Sequence, residues 1–152
     1  MDAKEPMAAV EPSDLTVPLE PAELPRHRGI EAAEWPWDTL RTEQEARAGS
    51  FTEGMRHDFR WDEESFSRLE EAMRVACESL EGQSTIERWV GEGFWCWTAV
   101  IPELTEHPRF VSPDPHYLRQ CLARLRDLGS WFFNGASPYG PNHVWEPVLP
   151  AR

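Results

Sequence analysis

Residues 62–81 read DEESFSRLEEAMRVACESLE, and their apolar spacing predicts a long amphipathic helix. Asp62 is a good N-cap residue, and Gly82 is a natural stop after the last turn. Apolar side chains recur every three or four residues, which places them on one face of a helix: Phe66, Leu69, Met73, Ala76, Cys77 and Leu80. The opposite face is rich in acids, among them Glu64, Glu71, Glu78 and Glu81.

Two more long helices are predicted downstream. Residues 84–87 (STIE) fit a capping box that opens a helix running to Ile101. This helix is apolar on most sides, which is typical of a buried position. Residues 94–101 alone also fit a buried strand, and we favour the helix because the period extends upstream of them. Asp114 and Pro115 predict the start of a third helix, ended by Asn134 and Gly135.

The predicted fold class is all-α, a small bundle of three or four helices with extended Pro-rich N- and C-terminal segments. A fourth, short helix is indicated over residues 38–48. The short connection after Leu80 predicts that the first two long helices form an antiparallel hairpin. We divide the chain into a disordered acidic Pro-rich tail (1–25), a helical domain (26–135) and an extended C-terminal tail packed on it (136–152), with Trp145 as an anchor.

Composition excludes several classes of function. The chain has 152 residues, a formal net charge of −12 and 8 Trp. A general nucleic-acid binder needs an excess of basic residues, and a wholly disordered chain is poor in aromatics. No apolar run is long enough to span a membrane. The three cysteines form no CxxC pair, and the first residues lack the apolar core of a secretory signal, so we expect a cytoplasmic protein.

Sequence motifs typical of metal, phosphate or catalytic sites are scarce. The five histidines are scattered, no HExxH occurs, and the Glu-x-x-His pairs of di-iron bundles are absent. Gly91 and Gly93 flank an acid inside a predicted helix, which does not suit phosphate. All three cysteines lie on apolar helix faces, where free Cys behaves as a small hydrophobe. We therefore expect no metal, no cofactor and no catalytic constellation of these types.

One pair of residues resembles a catalytic motif. Arg109 and His116 are separated by six residues, and His116 opens the third long helix. This resembles the Arg-x4-6-His motif of the HEPN family of all-α ribonucleases. The resemblance implies that the two side chains act on the RNA backbone, usually across a dimer. It covers eight residues, and Phe110 follows the arginine where the family prefers a polar residue.

The leading hypothesis is a non-catalytic acidic protein-binding protein. An adaptor, inhibitor or immunity factor that recognises a basic protein surface fits the charge, since acidic surfaces steer basic partners. The expected partner-binding residues are the acids of the first long helix and aromatic anchors upstream: Glu64, Glu71, Glu78, Glu81, Trp35 and Trp37. A linear motif over residues 15–19 is a further candidate. The alternatives are a HEPN-like ribonuclease using Arg109 and His116, and a self-associating structural protein.

Overall fold

The computed structural model describes residues 34–152. This part of the chain is mostly helical and contains no strand beyond an isolated bridge between Arg60 and Val111, which confirms the all-α prediction. The helices are α1 (Trp37–Gln44), α2 (Phe51–Asp58), α3 (Glu63–Leu80), α4 (Arg88–Trp95), a π-helical turn (Cys96–Val100), α5 (Ile101–Leu104) and α6 (Pro115–Asn134). The predicted tail over 1–25 and the motif over 15–19 lie outside the described residues.

The two longest helices begin where their capping residues predict. The Asp62 carboxylate accepts a hydrogen bond from the Ser65 backbone N–H at 2.8 Å, and Asp114 accepts from that of Tyr117 at 2.9 Å. Each bond satisfies a backbone donor that the helix itself leaves unpaired. At the other end of α6, Gly135 takes a φ of 74°, a left-handed conformation that costs glycine little.

The capping-box prediction is wrong. α4 begins at Arg88, and the Glu87 carboxylate accepts from the Trp89 indole nitrogen at 2.7 Å. Residues 84–86 stay outside the helix and are exposed. The connection from α3 to α4 is therefore longer than the capping box implied. α4 packs mainly on α1, the π turn and α6, and not on α3 as the predicted hairpin requires.

Residues 94–101 are helical, so the alternative of a buried strand is wrong. The helix widens into a π turn before Pro102, and the Ile101 backbone N–H bonds the Cys96 carbonyl five residues back. An alanine Cβ at position 93 would lie 2.6 Å from the Trp97 ring. The fully buried Trp97 ring can therefore pack against α4 only because residue 93 is glycine.

The short helix expected over residues 38–48 is confirmed only over its first part, and a second short helix, α2, follows beyond the predicted range. α1 ends at Gln44, and positive φ angles at Ala46 and Gly49 reverse the chain. α2 then begins after Ser50, where the buried Glu43 carboxylate accepts from the backbone N–H groups of Phe51 (2.9 Å) and Thr52 (2.8 Å) and from the Thr52 hydroxyl (2.7 Å). A side chain from α1 thus supplies the acceptors that the amino end of α2 needs.

Helices α3 and α6 run parallel to each other. Contacts between them advance together along both helices, from Glu70 with Arg124, through the Cys77 thiol with the Leu128 carbonyl at 3.7 Å, to the Gly82 backbone N–H with the Gly135 carbonyl at 3.1 Å. The carboxyl ends of both helices therefore lie side by side. Among residues 34–152, no helix is long and apolar enough to cross a membrane.

Candidate functional site

A cleft of about 420 Å³ opens where the carboxyl ends of α3 and α6 meet the segment that follows α6. We call it the aromatic–acid cleft. Four of its lining residues carry aromatic rings and two carry carboxylates. They are Trp131, Tyr139, His143 and Trp145, with Glu78 and Glu81.

The aromatic rings of the cleft pack on one another. Trp131 and Trp145 lie nearly parallel, with centroids 5.5 Å apart and 13° between their planes. Tyr139 and His143 stack at 4.0 Å, and Trp145 meets each of them edge-on. Such contacts hold the rings in fixed relative orientation. Three of these residues come from the Pro-rich segment after α6, so that segment forms one wall of the cleft.

Polar contacts with α6 anchor this segment. The Arg124 guanidinium forms a nearly buried ion pair with Glu70 of α3, and it also donates to the Glu146 backbone carbonyl at 2.6 Å. Its Cζ atom lies 5.0 Å from the centroid of the Trp145 ring, a cation–π contact. The Tyr139 hydroxyl donates to Asp127 at 2.6 Å. The segment is thus attached to α6 at three points along its length.

The electrostatics of the cleft favour a positive ligand. The carboxyl end of a helix carries roughly half a negative charge, and two such ends meet here. Neither α3 nor α6 has a basic residue in its last turn to offset it. Glu78 and Glu81 add two carboxylates beside the end of α3, the position at which negative side chains are least favourable for the helix. Arg74 pairs with Glu78 at 3.3 Å, whereas Glu81 adds negative charge at the cleft although helix stability opposes it.

The aromatic–acid cleft is suited to binding a cation. Negative ring faces and carboxylates together attract positively charged organic groups. The hydrogen bond to Asp127 raises the pKa of Tyr139, so its hydroxyl stays a protonated donor. Among residues 34–152, no group of three or more His, Cys, Asp or Glu is placed to hold a metal ion.

The predicted partner-binding acids divide into two groups. Glu78 and Glu81 line the cleft, and Glu81 accepts a hydrogen bond from the Trp131 indole nitrogen at 3.2 Å. Glu64 and Glu71 are exposed farther along α3 and do not reach the cleft; Glu64 pairs with Arg68 at 2.9 Å.

The two predicted aromatic anchors also differ from each other. Trp35 is 49% exposed, just before α1. Trp37 is half-buried and packs against the core, so most of its ring serves the fold. Neither residue lines the aromatic–acid cleft.

Arg109 and His116 are held in different surroundings. The Arg109 guanidinium lies 5.2 Å from the centroid of the Phe59 ring, on which His107 also stacks. His116 is exposed on the first turn of α6. Within residues 34–152, no hydrogen bond or ring contact joins Arg109 to His116.

A second surface feature is an apolar groove of about 560 Å³ on the other side of the end of α6. Three exposed apolar side chains line it: Ile86 (39% exposed), Trp95 (60%) and Phe133 (58%). Exposed aromatic side chains of this size occur often at protein–protein contacts.

Comparison with known proteins adds no further assignment: no protein-family model, no curated protein and no solved structure matches the chain. The aromatic residues of the cleft were not predicted as site residues from the sequence. One signal could have found them, namely Tyr139, His143 and Trp145 close together in a Pro-rich segment directly after a helix whose last turn lacks basic residues.

Proposed function

We propose that the protein is a non-catalytic, protein-binding protein of the adaptor, inhibitor or immunity-factor type, which recognises a basic surface of another protein. It works as a small helical bundle in the cytoplasm. The observation that carries the proposal is the aromatic–acid cleft, where two helix carboxyl ends, two carboxylates and four aromatic rings converge.

The exposed acids along α3 indicate that the contact surface for the partner extends beyond the cleft. Glu64 and Glu71 continue the acidic face toward the amino end of the helix, and both are exposed. Rim charges of this kind mainly raise the association rate and make it sensitive to salt. Aromatic residues at the centre of a contact supply most of its affinity. In this arrangement the cleft anchors the partner and the α3 face orients it.

The aromatic–acid cleft does not suit a nucleic-acid ligand. Phosphate groups would meet carboxylates and the negative ends of two helices, and both repel anions.

The test is affinity capture with the purified full chain, comparing the wild type with the double variant Glu78→Gln/Glu81→Gln. The matched control is Glu103→Gln, which removes one exposed acid on α5, outside the cleft. We expect a basic protein captured at a fixed stoichiometry, released by moderate salt, lost by the double variant and retained by the control. Capture that is indifferent to salt and to the double variant would contradict the proposal.

Light scattering over a range of protein concentrations addresses the self-association alternative. We expect the free chain to stay monomeric. A dimer that persists in high salt and is broken by Trp95→Ala would instead support self-association through the apolar groove.

A further inference from the structure

The two carboxylates of the aromatic–acid cleft each keep an oxygen that none of the described hydrogen bonds or ion pairs uses. Arg74 contacts Glu78 through Oε1 at 3.3 Å, and the Trp131 indole bonds Glu81 through Oε2 at 3.2 Å. Residues three apart at a helix end project to the same side. Both residues line the cleft, so Oε2 of Glu78 and Oε1 of Glu81 remain as acceptors there.

The exposed rings beside these acceptors are Tyr139 and His143, since Trp131 is only 3% exposed and Trp145 stacks on it, and exposed rings suit a flat cation. A guanidinium group is planar, stacks on aromatic faces and carries N–H donors in a fixed fork. The chain itself makes this contact repeatedly, with Arg124 at 5.0 Å from the Trp145 centroid and Arg41 at 4.5 Å from that of Trp89. Arg124 is already paired with Glu70 and Arg74 with Glu78, so among the described ion pairs only Glu81 of the two cleft carboxylates has no basic partner.

We infer that the aromatic–acid cleft receives one arginine side chain of the partner, with its guanidinium against the aromatic rings and its N–H groups donating to Glu78 and Glu81. This inference rests on the proposed function. It specifies the chemical group that the cleft recognises.

Arginine is favoured over the other cationic side chains for geometric reasons. A lysine ammonium is a compact and strongly hydrated point charge, which cannot span two acceptors while it lies flat on a ring. A trimethylated lysine keeps the charge but has no N–H to donate to a carboxylate. A cleft built from rings alone would suit the methylated group; this cleft adds two carboxylate acceptors.

The experiment is an NMR titration of the full chain that follows the indole N–H signals of Trp131 and Trp145. The probes are N-acetyl amides of arginine, lysine, trimethyllysine and citrulline, the neutral analogue of arginine. We expect the arginine amide to shift both signals and saturate with a dissociation constant on the order of 1 mM, as befits a single side chain. We expect lysine and trimethyllysine to bind several-fold more weakly, and citrulline at least tenfold more weakly.

Two variants test the residues. Glu78→Gln/Glu81→Gln should weaken arginine binding about tenfold, and Tyr139→Leu should weaken it several-fold through loss of a ring. Glu103→Gln and Phe133→Leu are the matched controls for charge and ring, and both should bind as the wild type does. Urea unfolding of each variant establishes that it is folded. Equal binding of citrulline and arginine, unchanged binding by the double variant, or preference for either lysine form would overturn the inference.

The outcome separates this inference from the proposed function. If arginine amide does not bind while a basic partner is still captured in a salt-dependent way, the arginine site is wrong and the proposed function stands. If arginine amide binds as expected but no basic partner is captured, the proposed function fails although the cleft is an arginine site.

Discussion

The indole nitrogen of Trp131 donates a hydrogen bond to Glu81 over 3.2 Å, and this contact joins the carboxyl ends of α3 and α6. It fixes a carboxylate at a position where the dipoles of both helices disfavour it. Functional positions often lower the stability of a fold, and the binding site that we propose would explain this placement of Glu81.

Replacing Glu81 by Gln should therefore stabilise the protein slightly. The amide oxygen of Gln can still accept from Trp131, while the unfavourable charge at the helix end is gone. We expect the free energy of unfolding to rise by about 0.5 kcal/mol at low ionic strength, with the gain shrinking in high salt. Urea unfolding at both ionic strengths measures it. A clear loss of stability would show that the negative charge supports the fold.

Gly91 and Gly93 should respond to alanine in opposite directions. A Cβ at Gly91 meets nothing within 4 Å, so Gly91→Ala should stabilise the helix by about 0.5–1 kcal/mol. A Cβ at Gly93 would lie 2.6 Å from the fully buried Trp97 ring. Because that ring has no space to move into, Gly93→Ala should destabilise by about 1–3 kcal/mol. Thermal unfolding of the two variants side by side checks the pair, and a shift of the same sign in both would refute it.

Removing the Glu43 carboxylate should destabilise the protein strongly. Glu43→Ala leaves buried donors of Phe51 and Thr52 without an acceptor, and each such donor costs about 1–3 kcal/mol. The free energy of unfolding of Glu43→Gln should lie between those of Glu43→Ala and the wild type, since the amide keeps one oxygen that can accept. Chemical unfolding gives both values, with the exposed Glu106→Gln as control. Equal stability of Glu43→Ala and wild type would disprove the role of Glu43 at the amino end of α2.

The pair of Glu70 and Arg124 should show strong coupling. Arg124→Leu leaves the Glu70 carboxylate nearly buried and unpaired, which should cost about 3–5 kcal/mol. The double variant Glu70→Leu/Arg124→Leu removes both charges and should recover much of the loss. A double-mutant cycle by urea unfolding measures the coupling. Additive effects of the two substitutions would mean that the ion pair contributes little.

Stability should fall in alkaline solution. Burial raises the pKa of Cys121 to about 12, and burial also raises the pKa values of Cys77 and Tyr117. The folded state therefore holds protons that the unfolded chain releases from about pH 9 for a thiol. Below that pH these groups contribute fully to the free energy of unfolding. Above it the free energy of unfolding decreases, by up to about 1.4 kcal/mol per pH unit for each group. Unfolding midpoints between neutral pH and pH 10 measure the slope, which Cys121→Ala should reduce. A flat profile would contradict the burial of these groups.

The long helices were predictable because their signals are local. Asp62 and Asp114 cap helices whose apolar periods follow directly, and both residues bond the backbone as expected. The capping box at Ser84 failed since nothing in its sequence distinguishes a bonded cap from an exposed linker. The break between α1 and α2 depends on Glu43 reaching backbone donors eight and nine residues away, which no short window detects.

Only the acidic residues of the candidate site could be predicted from the sequence. The acids of α3 stand out in the sequence because they share one helix face. Trp131 reaches Glu81, 50 positions away in the chain, only through the parallel packing of α3 on α6, and Trp145 joins the cleft by stacking on Trp131. Charge was therefore visible in the sequence, while the rings that complete the cleft depended on tertiary contacts.

The parallel course of α3 and α6 has a kinetic consequence. Two parallel helices cannot be joined by a tight turn, so the chain between them must travel back along the molecule before α6 can dock. Helices form from neighbouring residues, whereas the register of α6 on α3 requires closure of a long loop, a slow event in folding. We expect a refolding chain to recover its helical circular dichroism first and the contact of Trp131 with Glu81 last.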